Sequence, residues 1–226
     1  LLDNRLEIYL VDKGNKILSK CKSFNREKSI AAIDNRNIKT YLGYNIKSIN
    51  KTFLELSNIE NELNKSIKIN YSGLVWTAGL KPSYLNLVNS FLDENKKIKV
   101  NKFLQIEEHQ NIFFIGDITS SDIKPFPSSA QVAMQQGFLT AHNIISFRNN
   151  KKLKPFEFED LGEMLSLGIG NASITGYGMT LSGTLAFEIR NFVYLMRMPS
   201  FTLSFKSTGS WLLRKKIIKR LFSKYK

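Results

Sequence analysis

One cysteine, two histidines and five prolines in 226 residues leave several kinds of protein out of consideration. A lone Cys21 cannot close an internal disulfide, and it fits a reducing compartment. His109 and His142 lack cysteine or carboxylate partners at metal-ligand spacing, so both read as surface or packing residues and no metal centre is expected. No run of eighteen apolar residues occurs, so no segment reads as membrane-spanning. Also missing is a Gly-x-Gly-x-x-Gly loop between a strand and a helix, which a pyrophosphate needs in order to approach the backbone. Gly168-Ile-Gly170 comes nearest, but it has no third glycine in register and reads as a turn.

What is present is core-forming material and an uneven charge. Apolar residues make up 42% and aromatic residues 12%, enough to bury one large or two small domains. The first segment reads as α/β. Glu7 to Val11 alternates into a strand, Asp12 stands at its end, and Lys13-Gly14-Asn15 is a turn. A helix is expected from Ser23 to Asn35 and a strand from Lys39 to Leu42, joined by a right-handed crossover. Ile46 to Ile49, Thr52 to Leu56 and Ile67 to Tyr71 read as an antiparallel meander, with a polar loop from Asn58 to Lys65. In a dinucleotide domain an acid at the place of Asp12 accepts from the adenosine ribose; equally, Asp12 caps a turn. Its neighbour Lys13 would suit a 2′-phosphate, so the choice between the two nicotinamide dinucleotides stays open.

The stretch from Asn111 to Gly137 carries most information. Ile112, Phe113, Phe114 and Ile115 predict a strand buried on both faces, with Gly116-Asp117 at the carboxyl end where open α/β sheets bind ligands. Gly116 leaves room for close approach, and the Asp117 carboxylate can accept from a polyol. Pro125, Pro127, Ser128 and Ser129 then open a helix whose first amides carry the positive end of the macrodipole. Singly, these residues would only turn the chain and cap the helix. Along that helix Gln131, Met134, Gln135 and Phe138 share a face by spacing, and two amides on an apolar strip either orient a carbonyl or bond to backbone.

In this order the elements resemble the C-terminal flavin signature of two-dinucleotide-domain flavoproteins, in particular the type II NADH:quinone oxidoreductases. The similarity extends through Ser72-Gly-Leu-Val-Trp76-Thr-Ala-Gly79-Leu-Lys-Pro82, Lys97-Ile-Lys-Val100, Phe103-Leu-Gln105 and Asn111, and through Asp160 to Gly168 and Leu181-Ser-Gly183. The last part is most similar to cyanobacterial and plastid members, including those assigned to demethylphylloquinone reduction. The resemblance implies an α/β fold with two Rossmann-like domains, of which this chain would be the C-terminal portion beginning after both glycine loops. It implies residues 1–80 as the rear of a NAD(P)H domain, 81–147 as the rear of an FAD domain and 148–226 as a membrane-association region.

By resemblance, FAD falls to Gly116, Asp117, Ala130, Gln131 and Val132, with the helix start polarising the reduced ring. NADH or NADPH falls to Asp12, where the family usually has a glutamate, and to Ala78 and Gly79 beside the rings. A quinone falls to Gln131, Gln135 and Met134, although packing is the first expectation for Met134. No residue needs to act as a nucleophile, since hydride transfer belongs to the cofactor. The resemblance also implies electron transfer without proton pumping, a homodimer as one possible state, and a peripheral place on the cytoplasmic face of a plasma or thylakoid membrane. Sulfide:quinone chemistry is disfavoured because it uses redox cysteines. The rival outside enzymology is a basic peripheral-membrane or nucleic-acid-binding module without catalysis; two glycine loops upstream would discriminate against it.

The net charge of +14 sits mostly in the tail. Residues 189–226 hold ten lysines and arginines and no acid, which supplies +10. Trp211, Leu212, Leu213, Ile217, Ile218, Leu221, Phe222 and Tyr225 make one helical face, with basic residues on the other. Such a helix lies in the headgroup plane of anionic lipid, and Leu181 to Met198 forms a second apolar stripe beside it. Nucleic acid is disfavoured as a partner because the basic residues accompany an apolar face, without exposed stacking aromatics, and an ordinary solvated helix packing on the core is the third alternative, weakened by the one-sided charge. Deleting residues 209–226 should release the protein from anionic vesicles in a co-sedimentation assay, and salt should weaken binding of the intact protein as the Debye length falls below about 10 Å. Equal sedimentation of both proteins would refute the lipid anchor.

Overall fold

β-Branched and aromatic residues at alternating positions, separated by Gly, Asn and Ser, divide the first seventy residues into short strands. The computed structural model describes residues 6–60, 66–79, 91–94, 96–121 and 126–210. In chain order its regular elements are β1 (Tyr9–Asp12), α1 (Ser23–Asp34), β2 (Lys39–Leu42), β3 (Tyr44–Ile49), β4 (Phe53–Asn58), β5 (Ile67–Asn70), β6 (Ile98–Lys99), β7 (Thr119–Ser120), α2 (Ala130–Arg148), β8 (Glu163–Ser166), β9 (Ala172–Gly176), β10 (Met179–Gly183) and α3 (Thr184–Met196). Residues 201–210 are helical as well. The expected tail helix from Trp211 to Lys226 lies outside the described residues, as do Leu80, Lys81, Pro82, Pro125 and residues 61–65 of the expected polar loop.

Two compact units emerge, Leu1–Leu74 with Leu161–Lys226, and Val75–Asp160. These boundaries differ from a division at residues 80 and 147, because residues 161–210 pack with the first segment. In the first unit β1 and β2 pair in parallel, Tyr9 opposite Lys39 through Asp12 opposite Leu42, with α1 as their crossover. The meander forms as the pattern predicts, in the order β3-β4-β5, with a bulge between Ile46 and Ser48. Leu54, Leu56 and Ile69 form its core under Tyr9, Val11, Tyr41 and Tyr44. Burying these side chains removes apolar surface from water at roughly 25 cal/mol per Å².

Polar contacts that no hydrophobic period reveals tie α1 to the rest of the first unit. β8, β9 and β10 form an antiparallel sheet in the order β10-β9-β8, and the Gly168 to Gly170 segment is its β8–β9 turn. α1 presents Asn25, Ser29 and Ala32 as its buried residues. The Asn25 amide donates to the Glu163 carboxylate at 2.7 Å and accepts from the Thr175 hydroxyl at 3.1 Å. Arg36 donates to the carbonyls of Ala32 at 2.7 Å and Leu167 at 2.8 Å, fastening the end of α1 to the β8–β9 turn.

In the second unit, Ile98, Val100, Leu104, Ile106, Val132 and Phe156 make the core. The expected strand at Ile112 to Ile115 does not form, and it is not buried on both faces. Ile112 and Ile115 are exposed, and pairing shrinks to an isolated bridge between Gln105 and Phe113. The physical reason is register. It is Ile118 to Ser120 that lies beside residues 98–100, with Ile98 N–H on the Ile118 carbonyl at 2.7 Å and Val100 N–H on that of Ser120 at 2.9 Å. α2 buries a mainly polar face. Val132, Gln136, Thr140, Asn143 and Ser146 are buried, while Met134, Phe138, Ile144 and Ile145 face out. Met134 therefore does not pack in the core.

Gly162 marks the tightest approach in the first unit. Its φ is +106°, and a Cβ there would stand 2.4 Å from the Thr175 carbonyl oxygen, a backbone atom fixed in the β8–β9–β10 sheet. Gly162→Ala should cost about 2–4 kcal/mol, from a strained backbone plus a clash that cannot relax cheaply. Gly178→Ala, with φ +74° and open space around its Cβ, should cost only about 1–2 kcal/mol. Urea unfolding of both variants checks the contrast.

Candidate functional site

Gly116 and Asp117 sit in a turn against the first turns of α2. Gly116 has φ +81°, a conformation open to glycine, and a Cβ built there would lie 3.8 Å from the Ala133 methyl. Its carbonyl accepts from Thr119 N–H at 3.0 Å and from Thr119 Oγ at 2.8 Å. Its N–H donates to Oε1 of the fully buried Gln136 at 2.6 Å. Both peptide groups around Gly116 are thereby fixed, and the Asp117 side chain is left exposed to solvent. Sequence reading missed Gln136 because its attention went to Gln135 one residue earlier; the buried spacing Val132, Gln136, Thr140, Asn143 is the signal that would have found it.

The start of α2 follows from its residues. Ser129 is extended, and its Oγ accepts from Val132 N–H at 3.3 Å while its carbonyl accepts from Ala133. No acidic residue occupies the first turn, so the positive end of the helix is not neutralised there. Ala130 is exposed at this end. Val132 is a core residue, so only its backbone faces outward possibilities, and that N–H is held by the cap. Lys97 Nζ reaches Ser128 Oγ at 3.3 Å and adds a positive charge beside the cap.

The two glutamines singled out by spacing differ in what they do. Gln135 Nε2 donates to the Glu159 carbonyl at 2.8 Å, and its Oε1 accepts from Glu159 N–H at 3.0 Å. The second Nε2–H remains for a ligand carbonyl. Gln131 is half-buried one turn earlier. A cavity of about 380 Å³ opens beside Gln135, lined with it by Leu139, Lys154, Pro155, Phe156 and Glu157. Ala78 and Gly79 lie in an irregular, exposed segment of the same unit, where Trp76 Nε1 donates to the Ala78 carbonyl at 3.0 Å. In the first unit, Asp12 ends β1, and one of its oxygens accepts from Gly14 N–H at 2.6 Å, the turn-capping bond.

Cys21 stands just before α1. Burial, with a hydrogen bond to Glu163 second, pushes its thiol up to about 11. The thiolate, which is the reactive form, is thus disfavoured at neutral pH. His109 sets its ring edge-on to Phe91, and His142 lies 3.5 Å from Ser146 Oγ.

With this geometry in place, known proteins provide the comparison. The sequence model for pyridine nucleotide-disulphide oxidoreductases matches residues 2–137. The alternative NAD(P)H-ubiquinone oxidoreductase C1, chloroplastic/mitochondrial, of Arabidopsis thaliana is 32% identical, over 94% of this chain and 45% of its own length. Demethylphylloquinone reductase NdbB of Synechocystis is 30% identical, over 94% of this chain and 53% of its own. The chain spans about half the length of the curated relatives it matches. Among solved structures, NDH2 of Plasmodium falciparum in complex with NADH superposes with a TM-score of 0.75 at 17% identity, over 88% of this chain and 56% of that one, which shows a shared fold.

The Cys21 environment gives a pH prediction. A thiol raised in the folded state favours folding below the ordinary cysteine value of about 8.5, and that contribution is lost as pH rises towards 11. Iodoacetamide should therefore modify Cys21 slowly at pH 8, with a rate climbing roughly tenfold per pH unit up to about 11. Glu163→Gln should raise the rate at pH 8. A rate that levels off near pH 9 in the folded protein would refute the assignment.

Proposed function

The chain belongs to the pyridine nucleotide-disulphide oxidoreductase family, and from that premise we propose that it forms part of a type II NAD(P)H:quinone oxidoreductase, an FAD enzyme passing electrons from a nicotinamide cofactor to a lipid-soluble quinone. The observation that carries this reading is the Gly116–Asp117 turn, held at one peptide group by Gln136 of α2 and at the other by Thr119, with an exposed carboxylate and a helix start that has no acidic residue in its first turn. These residues fit the flavin. The turn leaves an exposed acceptor for ribityl or ribose hydroxyls, and the helix start supplies positive potential for a ring that becomes electron-rich.

FAD, when bound, would accept hydride and pass electrons on, which is its own chemistry. The chain's share is binding and orientation. Asp117 accepts hydroxyls; Ala130, Gln131 and Val132 present the start of α2; Ala78 and Gly79, with little or no side chain, permit ring approach. Asp12 keeps one carboxylate oxygen beyond its Gly14 bond for a ribose hydroxyl. We place the quinone ring along α2 at Gln131 and Met134, by the cavity that Gln135 lines. Membrane contact falls to the apolar and basic C-terminal part. In support, Leu185, Phe192, Met196, Phe201 and Phe205 are all exposed, and no described helix is long and apolar enough to cross a membrane.

We assign residues 1–80 and 81–147 to the rear parts of the NAD(P)H and FAD domains. The test is flavin retention in the full-length protein carrying this chain. Asp117→Ala should weaken FAD binding by roughly 1.5–3 kcal/mol, the worth of a charge-assisted hydrogen bond, with the fold unchanged by circular dichroism. Unchanged flavin content and affinity would remove Asp117 from the site.

A further inference from the structure

Gly116 poses a mechanical difficulty. Glycine is needed for φ +81°, yet glycine has the loosest backbone of any residue, and the carboxylate that must stand in one place is attached to the very next residue. Fixing Asp117 therefore requires both peptide groups around Gly116 to be held. The carbonyl is held by Thr119 through its N–H and its hydroxyl. The N–H is held by a single atom, Gln136 Oε1, at 2.6 Å. Since a backbone N–H can only donate, the orientation of the Gln136 amide is settled: its oxygen faces Gly116. Its Nε2 then lies in the interior with no partner among the described residues. Leaving a buried donor unpaired costs stability, so Gln136 is a poor choice for filling space and a fitting one for placing an acceptor.

We propose that Gln136 is a positioning residue for the flavin turn: by holding the Gly116 N–H from α2, it sets where the Asp117 carboxylate stands relative to the start of that helix. The proposal rests on the flavin reading of Gly116 and Asp117. Gln136 itself touches no cofactor and acts through the turn. Its Cα belongs to α2, six residues beyond Ala130, so the turn and the helix start are tied together as one body.

The experiment uses the full-length protein carrying this chain, labelled with ¹⁵N-glycine, with and without FAD. Gln136→Met keeps length and removes the acceptor; Gln136→Glu keeps an acceptor. In Gln136→Met, hydrogen exchange at the Gly116 amide should accelerate by roughly tenfold, FAD should bind about three- to tenfold more weakly, and the flavin absorption band should shift. Gln136→Glu should restore both exchange and binding to within about threefold of the wild type. Wild-type exchange and binding in Gln136→Met would overturn the proposal, and so would equal losses in a Glu variant with an intact fold. Should Gln136→Met not fold, Thr119→Val decides, since it loosens the other half of the same clamp: weaker FAD binding supports the proposal, and unchanged binding overturns it. If the wild type takes up no FAD, or Asp117→Ala binds it normally, the flavin reading itself fails, whatever the Gly116 amide does.

Discussion

A peptide group buried away from water must find a partner, and in the Val75–Asp160 unit regular sheet supplies few, because β6 and β7 are two residues each. Side-chain amides take the place of the ladder. Asn101 Oδ1 accepts from the N–H groups of Phe103 and Gln105, and the Gln105 amide donates to the Gln110 carbonyl. Asn143 exchanges both bonds with Lys154, at 2.8 and 2.9 Å, just as Gln135 does with Glu159. Each such amide presents one donor and one acceptor in the geometry of a peptide, so it substitutes for a missing strand neighbour. The inward polar face of α2 is the consequence. That helix is anchored by hydrogen bonds beside the apolar contacts of Val132 and Leu139.

The same principle joins the first unit across its longest sequence separation. Asn25 lies 138 residues from Glu163 and 150 from Thr175, yet its amide serves both. Each group leaves water only because the others replace it, so loss of one strands its partners. Cys21 takes part in this cluster as a weak donor to Glu163, which adds to burial in suppressing its acidity.

Much of the fold was legible because hydrophobic period is a local property. The parallel β1–β2 pair, α1 and the β3–β4–β5 meander all fall within two or three residues of where alternation puts them. The turn at Gly116 and the cap at Ser129 were legible for the same reason, as glycine and serine have specific conformational uses. What failed was nonlocal. Ile112 to Ile115 has the composition of a central strand, but a strand needs neighbours in register, and here residues 118–120 occupy that place. The inward face of α2 was not legible, because counting apolar residues cannot find a buried stripe made mostly of polar residues. Gln136 was missed for that reason, standing beside a glutamine that spacing made conspicuous.

The paired amides on α2 have a consequence for how that helix can move. Gln135 and Asn143 are eight residues apart, about 12 Å along the axis, and at about 100° per residue they point in directions roughly 80° apart. Both are pinned to one extended run, Lys154 to Glu159, which travels back along the helix. A rod pinned at two heights and two azimuths can neither roll about its axis nor slide along it without breaking a pin. Whatever is presented at the opening turn of α2 is therefore presented at a fixed angle, as the pointer of a dial is fixed by its spindle, and the precision of the amino end is set from about one and a half to three and a half turns away.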